Sequence, residues 1–339
     1  MIRLAARPIS SRPLACLNLS LPRARLYAVT PPNLPSSSIE VFDRRTKLAQ
    51  RDRASSDPEQ ARLADYVRDE VAANLVDRLL DIKKRFPSIL DLGSGAGYLI
   101  RHLDSEITQK VTMVDPSGNT SEVDHESHFT VEVERIVGDD EAVALPTESQ
   151  DAIMSCLSLH WINDLPGTLQ RINKCLKPDG VFIGALLGGD TLFELRTSLQ
   201  LAELERSSGI SPRVSPMTDS RSMSILLNRA GFALPTVDVD EIRVNYPSMW
   251  ELVDDLALMG ERNAILNRKT HISRDTLIAA AAIYQSLHGL EDGSIPATFQ
   301  IIYCIGWRPA PTQPKPLERG SATHSLKDVL GGGDFKGES

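Results

Sequence analysis

The stretch ILDLGSGAGYL, residues 89–99, is an apolar strand that closes on an acid and then sets glycines at every second position: Gly93, Gly95 and Gly97. Glycines let backbone N–H groups approach a ligand closely, and a helix N-terminus after them suits a nucleotide-like molecule. The spacing departs from the dinucleotide fingerprint G-x-G-x-x-G, because Tyr98 stands where the third glycine belongs. Asp91, two residues before Gly93, puts a carboxylate at the strand's carboxyl end. An acid there suits an ammonium group, such as the methionine portion of S-adenosylmethionine, and repels a pyrophosphate.

Working outward, Asp115 closes VTMVD, the next strand, where an acid can accept both ribose hydroxyls. GDDEAVALP, residues 138–146, then offers Asp139 or Asp140 to an adenine amino group. The succession resembles the class I S-adenosylmethionine methyltransferase fold. That fold is an α/β, doubly wound, Rossmann-like sheet of seven strands whose last strand is antiparallel. The resemblance implies cofactor contacts from Asp91, Gly93, Gly95, Gly97 and Asp115. The stretch after VGD is slightly longer than the usual pattern, so Asp139 and Asp140 both stay open.

Composition narrows the function classes. With 41% apolar and 24% charged residues the chain reads as a globular protein, and its formal charge of -8 offers no basic footprint for nucleic acid. No run approaches 18 consecutive apolar residues, so no spanning helix is expected. No acid precedes Glu40, while Arg3, Arg7, Arg12, Arg23 and Arg25 do, among several serines. This is the composition of a mitochondrial transit peptide, expected over residues 1–30, with RARLYAVT as the cleavage region. Cys156, Cys175 and Cys304 sit singly in apolar surroundings, as buried reduced thiols do, and no C-x-x-C pair suggests zinc.

A linker and N-terminal arm are expected over 31–64, the main domain over 65–308, and a disordered Pro/Gly/Ser-rich tail over 309–339. A helix is predicted over 65–86, with Val67, Val71, Leu75, Leu79 and Ile82 on one face. Strands follow at 88–92, 110–114, 151–157 and 180–186, with helices at 96–104 and 164–176, and LKPDG as a turn. This alternation argues for a parallel sheet covered on both sides. Helices over 191–206, 220–230, 248–260 and 273–288 read as a helical lid, with an extended run at 237–246 and a last strand at 298–307. Met249, Leu252, Leu256 and Met259 form the lid's apolar stripe, opposite Glu251, Asp254 and Asp255.

Three residues are candidates for chemistry. His160 follows the strand at 151–157, at the sheet edge where ligands bind, either as a general base or as a packing residue. Asp190 leaves the strand at 180–186, either over the pocket or as a helix N-cap. Tyr246 directly precedes the lid helix. No metal site is read: His102 and Asp104 of HLD fall on different helix faces, and HESH at 125–128 is polar loop.

Six segments carry a more specific resemblance: VFDRRTKLAQRDRAS (41–55), LSLHWINDLPG, LKPDGVFIG, GGDTLFELR, VNYPSMWELVDDLALMGERNA and DGSIPATFQIIYCIGW. Together they resemble the mitochondrial assembly factors for respiratory complex I that have the methyltransferase fold. A more distant resemblance is to the malonyl-carrier-protein methyltransferase of biotin synthesis. The first resemblance implies a matrix protein, peripheral on the inner membrane, that hydroxylates an arginine of a complex I iron–sulfur subunit. A small stabilising companion protein is also implied. Methyl transfer to a protein or carboxylate, and a non-catalytic chaperone role, are the alternatives. Inserting oxygen into an unactivated C–H bond needs an oxidant that a sulfonium methyl donor does not supply.

Overall fold

The structure is a computed structural model, and it describes residues 40–118, 130–142, 146–314 and 320–321. The transit peptide expected at 1–30, the HESH loop and most of the expected tail lie outside the described residues.

Among the described residues seven strands form one sheet: β1 Ser88–Leu92, β2 Lys110–Asp115, β3 Glu132–Val137, β4 Gln150–Cys156, β5 Leu176–Leu187, β6 Ala233–Tyr246 and β7 Ile295–Trp307. Their order is β3-β2-β1-β4-β5-β7-β6, parallel from β3 to β5, with β7 antiparallel to both its neighbours. The doubly wound sheet and its antiparallel last strand are as the sequence predicts. The reversal of strand order lies between β1 and β4, where ligands bind in such sheets.

Helices cover both faces, which explains why the central strands read as unbroken apolar runs. On one face lie α3 (Tyr66–Leu80), α5 (Phe193–Ser207), α7 (Met249–Leu258) and α8 (Arg274–His288). The other face carries α4 (Leu165–Cys175) and α6 (Ser220–Arg229). Alternation in β1 sends Ile89 to the α3 side and Leu90 and Leu92 to the α4 side. Asp91 therefore points to the α3 side, an acid at an apolar position.

The N-terminal arm folds into α1 (Arg44–Ala54) and α2 (Pro58–Ala64). α1 crosses the carboxyl edge of the sheet. Phe42 pins its start, in an isolated bridge with Ile265 and edge-on to Trp161 at 5.3 Å between ring centroids.

Several predicted bounds shift. α3 stops at Leu80, because the chain must turn to bury Phe86 before Pro87. The helix predicted at 96–104 is only a 3-10 turn, Leu99–His102. LKPDG is not a free turn: it forms a bulge inside β5, where the register jumps from Gln150↔Leu176 to Ala152↔Val181 and Asp179 adopts φ +62°. β3 was not predicted at all. The stripe of Met249, Leu252 and Leu256 in α7, with Met259 just after it, is buried in the core on this face of the sheet.

Candidate active site

The glycine turn is built as its sequence demands. Gly93 adopts φ +71°, and a Cβ there would fall 2.1 Å from Ser158 Oγ, so the turn and the β4 loop meet backbone to side chain. The amide of Gly95 donates to Asp115 Oδ2 at 3.0 Å, tying the turn to the end of β2. Asp115 also accepts from the Ser117 amide at 2.8 Å. Burial raises its pKa, against the lowering pull of Arg51.

Asp91 is 1% exposed, and among the described residues neither carboxylate oxygen has a hydrogen-bond partner. Burial, with the charge of Asp115 adding to it, pushes its pKa up to about 8. A buried carboxylate is normally paired, so this orphaned acid fits a cationic ligand group. Asp65, Arg68, Tyr98 and Leu157 line the adjoining cleft. Tyr98 donates to Asp65 at 2.8 Å, and the Arg68 guanidinium lies 5.5 Å from the Tyr98 ring centre. A cation-seeking acid and a guanidinium at one end suit a zwitterionic amino acid head. At the other end a cavity of about 320 Å³ is lined by Pro116, Val137, Gly138, Asp139 and Trp161 on one wall, and by α1, through Arg44, Lys47, Leu48 and Arg51, on the other. The first wall suits a flat adenine ring. The residues present thus fit S-adenosylmethionine, whose sulfonium supplies an electrophilic methyl group when bound.

Asp139 and Asp140 are engaged by the arm. Arg44 donates to both at 2.5 Å, and Arg51 donates to Asp140 at 3.2 Å and to Ser158 at 3.0 Å. Asp140 is fully buried; burial alone would raise its pKa, but Arg51, Arg44 and the Ser158 hydroxyl bring it down to about 2. Asp139 is half exposed.

His160 is buried and joins a cluster around Glu261. One Glu261 oxygen accepts from Trp161 Nε1 at 2.7 Å and Lys47 Nζ at 3.2 Å, and lies 3.3 Å from His160 Nε2. The other accepts from Arg68 at 2.7 Å. Burial would raise the Glu261 pKa, yet Lys47, His160 and Arg68 hold it well below the carboxylate range. Burial lowers Lys47 to about 7 and lowers His160 as well. A neutral His160 that donates from Nε2 to Glu261 keeps Nδ1 as an acceptor, and among the described residues this buried Nδ1 has no partner.

Asp190 and Tyr246 stand apart from this cluster. Asp190 is exposed and accepts from Gln300 at 3.1 Å. It does not cap α5, whose N-cap is Leu192 with no side-chain bond, correcting that alternative. Tyr246 is buried, its hydroxyl bonded to that of Tyr66, which also donates to Asp255 at 3.0 Å. Cys156, Cys175 and Cys304 are buried and none forms a disulfide, and burial pushes the Cys156 thiol up.

Beyond Glu261 lies an apolar cavity of about 210 Å³. Leu195, Leu199, Met249, Val253 and Phe299 line it, with Arg262 and Asn263 among its polar residues. Among the described residues, no group of three or more His, Cys, Asp or Glu side chains is placed to hold a metal ion, and no helix is long and apolar enough to cross a membrane.

Sequence reading missed Arg44, Lys47, Arg51, Arg68, Ser158 and Glu261. The first three lie in the arm segment VFDRRTKLAQRDRAS, which carries the family resemblance but assigns no single residue a role. Glu261 had no local signal.

The profile of the methyltransferase domain family matches residues 63–237, more than half the chain. The zebrafish (Danio rerio) protein "Arginine-hydroxylase NDUFAF5, mitochondrial" is 47% identical over 86% of this chain and 90% of its own. The human (Homo sapiens) protein of that name is also 47% identical, over 86% of this chain and 84% of its own. The malonyl-[acyl-carrier protein] O-methyltransferase of Gallionella capsiferriformans is 29% identical over 71% of this chain and 84% of its own. Among solved structures, the YcgJ protein of Bacillus subtilis overlaps 70% of this chain and 98% of its own, with a TM-score of 0.48 at 16% identity. With the methyltransferase profile over more than half its length and 47% identity over 86% of its length to the zebrafish and human proteins, the chain belongs to the methyltransferase domain family and, within it, to the NDUFAF5 arginine-hydroxylase family.

Proposed function

We propose that the protein is an S-adenosylmethionine-binding enzyme of the mitochondrial matrix, peripheral on the inner membrane, that hydroxylates an arginine of a complex I iron–sulfur subunit during assembly. The observation that carries this reading is the 47% identity over 86% of the chain to proteins named mitochondrial arginine-hydroxylase. A small companion protein that stabilises the chain belongs to the same proposal.

Within this reading Asp91 takes the ammonium and Arg68 the carboxylate of the cofactor's methionine. Asp115 takes the ribose hydroxyls, and the turn from Gly93 to Gly97 supplies the close backbone. Asp139 and Asp140 sit at the adenine end, and His160, Asp190 and Tyr246 remain candidates on the substrate side. Hydroxylation consumes molecular oxygen and a two-electron donor. One oxygen atom enters the C–H bond, and the other leaves as water with two protons. Both co-reactants are external to the residues named here.

A second reading, methyl transfer, has its own support in the methyltransferase domain match and in the fit of the cleft to a sulfonium donor. There His160, neutral and with a buried, unpartnered Nδ1 among the described residues, is the candidate to accept the proton of the attacking group.

Peptide mass spectrometry of the iron–sulfur subunit separates these readings. Cells with and without the protein are compared, with an Asp91→Ala rescue alongside. The first reading predicts an arginine peptide that loses one oxygen when the protein is absent. Loss of one methylene instead establishes methyl transfer. An unchanged peptide with failed assembly rejects both in favour of a chaperone.

A further inference from the structure

α1 differs from every other helix over the sheet in how it is held. Its sequence, RRTKLAQRDRA, has no apolar stripe, and its two buried residues are Lys47 and Gln50. Polar contacts dock it along its length, whereas the segment before it is pinned by the Phe42 side chain and by backbone bonds from Asp43 to Ala264 and from Leu266 to Val41. Arg268 braces that base, donating to Thr46 at 2.9 Å and lying 3.5 Å from Asp43.

One set of anchors of the helix proper is the cofactor-site groups. Arg51 bonds Asp140 and Ser158, lies 3.8 Å from Asp115, and lines both the methionine-end cleft and the adenine-end cavity. Arg44 holds Asp139 and Asp140 and lies 3.5 Å from Glu141. Asp52 accepts from the Ser117 hydroxyl at 2.5 Å. One side chain thus spans the groove where ribose and adenine would lie. It also uses carboxylates that those groups would need.

We propose that α1 is an electrostatic latch on the cofactor groove: adenosine binding displaces Arg51 from Asp115, Asp140 and Ser158, and α1 swings on the Phe42 anchor. This rests on the reading that S-adenosylmethionine binds at the glycine turn. The displaced helix also carries the link to the apolar cavity. Lys47 donates to Gly260 O at 2.7 Å and to Glu261, and Gln50 donates to Asn263 O at 3.3 Å, while Glu261 and Asn263 line that cavity. Release of α1 therefore loosens the cavity wall, so cofactor occupancy and access to the cavity are coupled, and by linkage the coupling is reciprocal.

The test is calorimetric titration of the full-length protein with S-adenosylhomocysteine, together with limited trypsin cleavage with and without that ligand. Arg51→Gln is expected to bind about tenfold more tightly, within the usual range of coupling between linked sites. Arg268→Gln, which loosens the base without touching the groove, is expected to move affinity in the same direction. In the unaltered protein, saturating ligand is expected to speed trypsin cleavage within residues 44–53. This measurement needs no variant and stands even where Arg51→Gln folds poorly. Slower cleavage with ligand, or weaker binding by both variants, overturns the latch and makes Arg51 an ordinary cofactor contact. No binding by the unaltered protein overturns the cofactor reading itself and the latch with it.

Discussion

The two walls of the site are built in opposite ways. The cofactor wall is local: Asp91, Gly93, Gly95 and Gly97 lie within seven residues, and Asp115 ends the neighbouring strand, joined to the turn by the Gly95 amide. The opposite wall is assembled from afar. Glu261 gathers Lys47, Arg68, His160 and Trp161, which come from the arm, α3 and the loop after β4. A locally encoded wall keeps its shape through backbone geometry. A long-range wall depends on every partner charge staying in place, because a buried ion left alone is expensive.

That contrast predicts where damage spreads. The largest effect belongs to Glu261→Ala, which leaves Lys47 without its buried counter-ion and Arg68 with only Asp65, 3.8 Å away. Its loss is expected to cost about 3–5 kcal/mol in chemical denaturation, as breaking a buried pair does. Gly93→Ala acts on the other wall by overpacking, since its Cβ would fall 2.1 Å from Ser158 Oγ. About 1–3 kcal/mol is expected, with loss of cofactor binding out of proportion to the stability change. A Glu261→Ala protein that unfolds like the unaltered one would break the comparison.

A pH titration sharpens it further. Asp91 sits near 8 in the folded protein, whereas a free aspartate lies near ~3.9. The native state therefore keeps a proton that the unfolded chain releases above about pH 4. This acid lowers stability progressively as pH rises from about 4 to 8, and not beyond. An ammonium ligand needs the ionised form, so cofactor affinity should rise by about tenfold per pH unit toward pH 8 and then level off. A flat profile would separate Asp91 from the ligand. The smallest effect belongs to Asp190→Ala, an exposed change expected to stay within about 0.5 kcal/mol by thermal unfolding.

The same contrast explains what was legible in the sequence. β1, β2 and β4 declare themselves as apolar runs because helices bury both of their faces, and the glycine turn follows directly. β3, EVERIV, hides because it is an edge strand whose outward positions are exposed glutamate and valine. The 3-10 turn after the glycines reads as a full helix, because LIRHLD has helical spacing but the chain must close early onto β2. Glu261 in GERNA looks like any loop acid, and only the fold brings it to Arg68 and Trp161. Arg51 was visible as a basic residue of the arm, yet its position across the groove is a property of packing.

The account rests on Asp91 being a ligand group and not a buried defect. Titration of the unaltered protein and of Asp91→Ala with S-adenosylhomocysteine, each first shown to be folded by circular dichroism, tests this most directly. One-to-one binding by the unaltered protein and its loss in the variant is the predicted result. Equal binding by a folded Asp91→Ala protein would contradict it.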